Sequence, residues 1–479
     1  GHCTMRIKRG YTPKIAGRPS SVVDELPVPE KLILRLQRHG VIYTPVVKDG
    51  QKVKFGDTLA ETAAVGGKLV LPSPAEGKVT VTGQEGKKPP KLIVETDSRG
   101  SVTGTLDRLE PERASVEKVR HTLARGGVWP LFWSSRTNDV PTLEAGERPR
   151  AIIVTSVITE PFRTRGKVLL ERSWDRIVQG MKYFPRLLTE YGTTEIILTH
   201  KRDPVARRLY QELADYAWLH FHPVPLVYPV EDPIVLTRAL RKQKPSIKKD
   251  DIIWVIDVQG VAAIGACLGE GIPLYQRVAA LGGPGNTEPR HVSVRIGTPV
   301  KNLLPKSFSS EDTLVLRGGL LKGEPVDPFN DAVEYDDNGF FFLPKMKERE
   351  FLSFTRPGFR RTSILPCFMS KLTGAADSEI STSLRGEPRP CIACGLCEMV
   401  CPVDLMPQII HRYLYREDLD KAYALGLDIC IDCGLCSYVC TSKIELRQQF
   451  MEAMEQIRRE QEEAAAAESS TNTSAGDEE

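Results

Sequence analysis

Short apolar runs broken by Gly, Pro and Asp fill the first hundred residues. Pro45–Leu59 sets valine-bearing runs between Gly50, Gly56 and Asp57, and Leu69–Val81 repeats the strand–turn–strand signal around Pro72, Pro74 and Gly77. From 105 to 260 the pattern changes. Ala151–Thr155, Glu195–Thr199 and Ile252–Asp257 are apolar runs suited to buried parallel strands. Between them Trp174, Ile177, Val178 and Met181 form one helical stripe. Asp203-Pro204 reads as N-cap and first turn of another helix, with Val205, Leu209, Leu213 and Tyr216 on its buried face. Residues 261–344 return to short strands, Val278–Leu281, His291–Ile296 and Leu314–Arg317, with glycine pairs at 282–283 and 318–319.

These patterns predict a multidomain α/β plus β chain. Residues 5–104 form a barrel-sandwich hybrid of the biotinyl/lipoyl type. Residues 105–260 form a layered, Rossmann-like α/β domain, in which no G-x-G-x-x-G follows a strand, so a dinucleotide site is not supported. Residues 261–344 form a β-grasp module, whose paired glycines either make turns and close backbone approaches or touch a ligand. Residues 345–388 are a basic connector, and 460–479 are low-complexity and expected to be disordered beyond a fraying helix. Carrier versions of the first fold attach their cofactor to a lysine at a hairpin tip. Lys68 lies near such a turn, but its flanks do not match, which favours a docking or scaffold role. Arg241, Lys242, Lys244, Lys248 and Lys249 are read as a solvated loop, with a phosphate site as the alternative.

The sharpest chemistry lies between 391 and 440. Cys391, Cys394, Cys397 and Cys401-Pro402 make C-x2-C-x2-C-x3-C, and Cys430, Cys433, Cys436 and Cys440-Thr441 repeat it. That spacing holds iron–sulfur clusters, with three thiolates of one loop on one cluster and the fourth on the other. It assigns Cys391, Cys394, Cys397 and Cys440 to one [4Fe–4S] centre, and Cys430, Cys433, Cys436 and Cys401 to a second. Zinc is the competing reading, but four sulfurs saturate a structural zinc and each motif brings a third and fourth cysteine. Gly395 and Gly434 sit where the backbone must curl round a cluster. In the spacer, Ile409, Ile410, Tyr413 and Leu414, then Leu419, Ala422 and Leu425, recur at helical spacing, with Asp418 and Gly426 as candidate caps. The cluster module, 389–459, is thus expected to be helical and ferredoxin-like.

Composition narrows the rest. At 479 residues, 41% hydrophobic and net charge +3, the chain has room for several cores and no nucleic-acid footprint. No run of 18 apolar residues and no signal-peptide layout are visible, and Gly-His-Cys-Thr ahead of Met5 reads as a leftover before a native start. Of 11 cysteines eight lie in the twin motif; Cys3, Cys267 and Cys367 remain, and reduced thiols with clusters fit a cytosolic setting.

The order of modules resembles the C subunit of the Rnf complex, carried by Leu26–Glu30, Arg295–Val300 and the twin motif. The body is similar to the NqrA subunit of the sodium-translocating NADH:quinone reductase, carried by Met5–Gly17, Gly127–Pro130, Arg277–Pro284 and Arg349–Phe351. The likeness implies that 105–260 resembles the flavoprotein subunit of complex I, and that 261–344 is SLBB-like. Rnf C subunits resemble flavin and NADH binders that use a Gly-Gly-Ala-Gly-Phe-Pro-Thr loop. Here Gly126-Gly127 is followed by Val128 and Trp129, so no flavin is expected. The resemblance implies a peripheral electron-transfer subunit of an Nqr/Rnf-like oxidoreductase, of NADH:quinone or NADH:ferredoxin type, associated with ion transport. Its partners would be membrane-embedded subunits, with ferredoxin as a further one, and its place the cytoplasmic face of the cell membrane. The alternatives are a soluble cobalamin-reductase-like or ferredoxin-dependent reductase, and a scaffold with structural clusters.

Overall fold

The structure, a computed structural model, describes residues 5, 7, 9–83, 90–97, 102–199, 204–213, 215–346, 358–359, 364–365, 369–373, 380–382 and 387–474. Asp203, Cys3, Cys367 and the stretch Arg349–Phe351 lie outside these. The chain divides into two compact units. One takes in Gly1–Ile7, Thr12–Lys347 and Asp377–Thr382; the other takes in Lys8–Tyr11, Glu348–Ala376 and Ser383–Glu479.

The larger unit is mixed α/β with several sheets. Its first part holds an antiparallel sheet in the order Lys31–Arg35, Lys91–Thr96, Gly77–Thr82, Lys52–Val53, and a second in the order Thr44–Pro45, Thr58–Ala64, Gly67–Pro72. Side chains alternate in and out as period-2 strands require: Leu32 and Leu34 are buried while Lys31 is exposed. Lys68 sits beside the turn of the second hairpin and pairs with Glu61 at 2.5 Å.

The α/β part is a five-stranded sheet ordered Trp133–Ser134, Ile253–Asp257, Ala151–Thr155, Thr193–Leu198, Leu219–Pro223, parallel except for the first. The helix Trp174–Met181 buries Trp174, Ile177 and Met181 of the predicted stripe and leaves Val178 half-buried. The first β-rich part and this sheet share one apolar core, in which Leu71 and Val79 join Leu123, Trp129 and Ile152.

A further sheet is six-stranded and mixed, ordered Val23–Glu25, Arg290–Arg295, Gln276–Gly282, Gly339–Pro344, Thr313–Arg317, Glu324–Pro325. The glycines at 282 and 283 pack against protein. A Cβ on Gly282 would meet Phe162 at 2.7 Å, and one on Gly283 would meet the Phe342 carbonyl at 2.4 Å.

Three expected boundaries move. The helix Val258–Ile264 and the π-helical turn Gly265–Glu270 run through the boundary drawn at 260. They stay with the α/β part because Val261 and Ile264 are buried in its core. Val23–Glu25, placed by sequence in the first β-rich domain, pairs in parallel with Arg290–Arg295, and Met5 is buried beside Ile153 and Ile253 of the α/β sheet. The tail from 460, expected to be disordered beyond a fraying helix, continues the last helix as far as Ser474. Glu462, Glu463 and four consecutive alanines are strong helix formers, and Arg459 pairs with Glu455 one turn back at 3.0 Å.

Candidate metal centre

The smaller unit is helical over its described residues. Two short helices, Leu396–Val400 and Leu435–Tyr438, follow the two cysteine loops. Two longer ones, Pro407–Leu414 and Leu446–Ser474, start six residues after the fourth cysteine of each motif. The last helix buries Leu446, Phe450, Ala453 and Ile457 along one stripe. Between the halves the helix Leu419–Ala424 is capped by Asp418, whose side chain accepts from the Lys421 N–H at 3.1 Å. Gly426, at φ +89°, follows its last turn in the left-handed region.

Each loop reverses by the same device. Gly395 and Gly434 both stand near φ +73°, a left-handed conformation that turns the chain into the short helix. Ala393 and Asp432, the residues before the second cysteine of each motif, are left-handed too, at φ 55° and 52°. Non-glycine residues adopt this region at a cost, and here it recurs at matched places in both loops.

The folded loops produce two hollows. Cys391, Cys394, Cys397 and Cys440 line one, with Leu396, Gln408, Ile444 and Leu446. Cys430, Cys433, Cys436 and Cys401 line the other, with Val403, Leu405, Asp432, Arg447 and Phe450. Each hollow therefore brings together three cysteines of one motif and the last cysteine of the other. Backbone N–H groups are turned onto sulfur: Ala393 donates to Cys391 Sγ at 3.4 Å, Leu405 to Cys401 Sγ at 3.3 Å and Ile444 to Cys440 Sγ at 3.4 Å. Such donors stabilise thiolate sulfur and tune a cluster. Cys391 and Cys394 are exposed, while Cys397 and Cys401 are buried.

Burial pushes the Cys397 thiol up to about 11 and raises those of Cys401 and Cys436, the last also through Cys433 and Cys430. These thiols stay protonated at neutral pH until a metal displaces the proton, so loading and proton release are coupled. Four sulfurs to a hollow, backbone donors aimed at them and a largely apolar lining suit an iron–sulfur cluster. Cys267, by contrast, is a core residue. Its Sγ is 3.6 Å from the Thr122 carbonyl, and burial pushes it up to about 12.

Several residues at these hollows escaped the sequence reading. The Gln408 carbonyl accepts from Cys397 Sγ at 3.3 Å while its amide donates to Glu398 at 2.7 Å. Arg447 clamps Asp432 through Nε and Nη2, both at 2.7 Å. Arg9 donates to the Glu398 carbonyl at 2.9 Å, and Tyr11 stacks on Tyr438 with centroids 6.1 Å apart. Superposing the two motifs at their 39-residue offset, Cys391 on Cys430, would have drawn attention to Gln408 and Arg447, which fall on each other.

The segment Gly126–Phe132 is packed from both sides. Trp129 is fully buried, its Nε1 donates to the Pro141 carbonyl at 2.8 Å, and its ring meets Trp254 edge-on at 5.3 Å. Gly127, at φ +69°, lies so close to the first β-rich part that a Cβ would stand 2.8 Å from Pro72, and Arg38 holds its carbonyl at 2.8 Å. Of the basic cluster, Lys244 pairs at 2.6 Å with the fully buried Glu195, so it is a structural partner and not part of a solvated loop.

Residues 114–272 match the NqrA second alpha/beta domain, and residues 390–444 match the 4Fe-4S dicluster domain. The NqrA subunit of the Na(+)-translocating NADH-quinone reductase of Rhodopirellula baltica is 27% identical over 88% of this chain and 90% of its own length. That of Marinomonas sp. is 27% identical over 88% and 91%. Among solved structures, an NAD+-reducing [NiFe]-hydrogenase in the H2-reduced state aligns at 12% identity and TM-score 0.38, over 74% of this chain and 68% of that one.

Proposed function

We propose that this chain, a relative of the NqrA subunit of the Na(+)-translocating NADH-quinone reductase that carries a 4Fe-4S dicluster domain, relays single electrons through two [4Fe–4S] centres as a peripheral member of an Nqr/Rnf-like complex. The observation that carries the reading is the pair of hollows, each lined by three cysteines of one motif and the fourth of the other. Cys391, Cys394, Cys397 and Cys440 would hold one centre, and Cys430, Cys433, Cys436 and Cys401 the second. Bound clusters supply one-electron chemistry at low potential.

The chain's own residues do the remaining work. Leu396, Ile444, Leu446, Val403 and Phe450 exclude water, and the Ala393, Leu405 and Ile444 N–H groups hold sulfur charge. The exposed Cys391 and Cys394 bring one centre to the surface of its unit, where electrons can be exchanged. The packed Gly126–Phe132 segment supports a chain without flavin, whose donor and acceptor lie on other subunits. In this reading the first β-rich part is the barrel-sandwich hybrid and the six-stranded sheet the SLBB-like β-grasp module. No helix among the described residues is long and apolar enough to cross a membrane. A place on the cytoplasmic face of a membrane complex fits that, with ferredoxin as a further partner.

Anaerobic purification tests the reading. About eight irons per chain, four per centre, and no flavin are expected. Stoichiometric flavin would replace the relay with a reductase of the cobalamin-reductase type, and loaded clusters that cannot be reduced would leave a scaffold.

A further inference from the structure

The two halves of the cluster unit repeat at a 39-residue offset, in backbone as well as sequence. Positive φ recurs at 393 and 432, at 395 and 434, and at 404 and 443. The N–H onto the fourth cysteine recurs at Leu405 and Ile444. Against so regular a frame, several matched positions differ in charge, Asp404 against Lys443 among them. Ala393, Glu398 and Gln408 stand in the first half where Asp432, Ser437 and Arg447 stand in the second.

Of these, Gln408 lines the first hollow, and Asp432 and Arg447 line the second. In the first half the Gln408 amide bridges Cys397 Sγ and the Glu398 carboxylate, and among the described residues no charged side chain lines the hollow. In the second half the Arg447–Asp432 ion pair lines the hollow, and the Arg447 N–H donates to Ser437 Oγ at 2.8 Å, which ties the guanidinium's helix to the Cys436 turn. The pair is not electrically symmetrical. The Arg447 side chain is 21% exposed and that of Asp432 36%, so water screens the carboxylate more than the cation. Near Cys401, Asp404 is answered by Arg9 at 3.3 Å, so the two charges oppose each other there, and Lys443, three residues after Cys440, does not line the other hollow. An electron added to a cluster adds negative charge, which a nearby cation favours and a nearby carboxylate opposes.

We propose that the Arg447–Asp432 pair makes the two centres unequal and sets the one held by Cys401, Cys430, Cys433 and Cys436 at the higher reduction potential. This rests on the two-centre reading above. Arg447 and Asp432 are positioning residues here, acting through their field on the centre, and they act in opposite directions.

The test is a redox titration of the full chain, loaded anaerobically and followed by electron paramagnetic resonance, with iron counted in every sample. Wild type should show two reduction waves. Arg447→Gln places in the second half the residue found at the matching position of the first. It should lower the higher wave toward the other and leave the lower one in place. Asp432→Asn should raise the same wave, and Gln408→Arg should raise the lower one. Full iron with both waves unmoved in Arg447→Gln, or movement of the lower wave in its place, would overturn the proposal. Should Arg447→Gln lose iron, Asp432→Asn and Gln408→Arg decide by the same criterion. Wild-type chain that takes up far fewer than about eight irons would instead sink the two-centre reading and this proposal with it.

Discussion

Trp129→Gly restores, at one position, the residue type that would let a flavin approach, and the structure says what this does. Trp129 is fully buried. Its indole represents about 200 Å2 of buried surface, worth about 5 kcal/mol at ~25 cal/mol per Å2. Its Nε1 is hydrogen-bonded to the buried Pro141 carbonyl, and an orphaned buried acceptor costs about 1–3 kcal/mol. The Arg120 guanidinium, 5.5 Å from the ring centroid, loses a cation–π contact worth about 1 kcal/mol. Neighbouring contributions overlap, so the sum is an upper bound and about 5 kcal/mol is the expected loss. That is a large part of the 5–15 kcal/mol that usually holds a domain together. Trp129→Phe keeps a ring without its N–H and should lose about 2 kcal/mol. Urea unfolding followed by far-ultraviolet circular dichroism measures both, with flavin titrated into each variant. A Trp129→Gly chain within about 1 kcal/mol of wild type, or one that binds flavin stoichiometrically, would refute the reasoning, because either result means this segment is not part of the core.

Three further outcomes follow from other parts of the chain. Cys401→Ser should remove the resonance signal of the centre held by Cys430, Cys433 and Cys436, and Cys440→Ser that of the other. Loss of the centre nearest in sequence would reverse the assignment. Burial works against the charge on Glu195, but His220, His222 and Lys244 outweigh it and hold its carboxyl well below the usual range. Its contribution is therefore present above the ordinary carboxylate pKa and fades as pH falls below it; Glu195→Gln should cost about 3 kcal/mol at pH 7 and show less acid sensitivity in thermal melts. Arg9→Ala gives up a partly buried hydrogen bond to Glu398 and a half-exposed pair with Asp404. It should cost the cluster unit about 1 kcal/mol, read as earlier iron release in a urea series.

What could be read from sequence divides by how local the cause is. The cysteine spacing, the helix Pro407–Leu414 and the Asp418 cap are set by residues a few positions apart, and each stands where periodicity put it. Gln408 and Arg447 are ordinary helix residues by type. Their meaning comes from sulfurs 11 to 46 residues away, and only the internal repeat hinted at it. Val23–Glu25 is three residues long, too short to show a period, and its partner strand begins at Arg290. The boundary drawn at 260 moves because the helix Val258–Ile264 runs straight on from the strand Ile253–Asp257. Gly265, just after it, allows close packing: a Cβ there would stand 2.0 Å from the Arg176 carbonyl of the helix Trp174–Met181. In the alanine-rich tail, helix propensity is a stronger cause than low complexity.

Arg9–Tyr11 belong with the cluster unit, though Ile7 before them and Thr12 after them belong with the other, and Arg9 lies 389 positions before the Glu398 carbonyl it holds. At about 5–20 residues per second, a ribosome that has made Arg9 needs roughly 20–80 s to reach its partner. For that interval the larger unit can fold on both sides of a short segment that must stay free. Final closure of the cluster unit is therefore a late, low-entropy event that waits on the far end of the chain. Iron loaded before that closure would meet loops still lacking Arg9 and Tyr11. A nascent chain halted just past Ser442 would show whether cofactor insertion comes before or after the N-terminal segment docks.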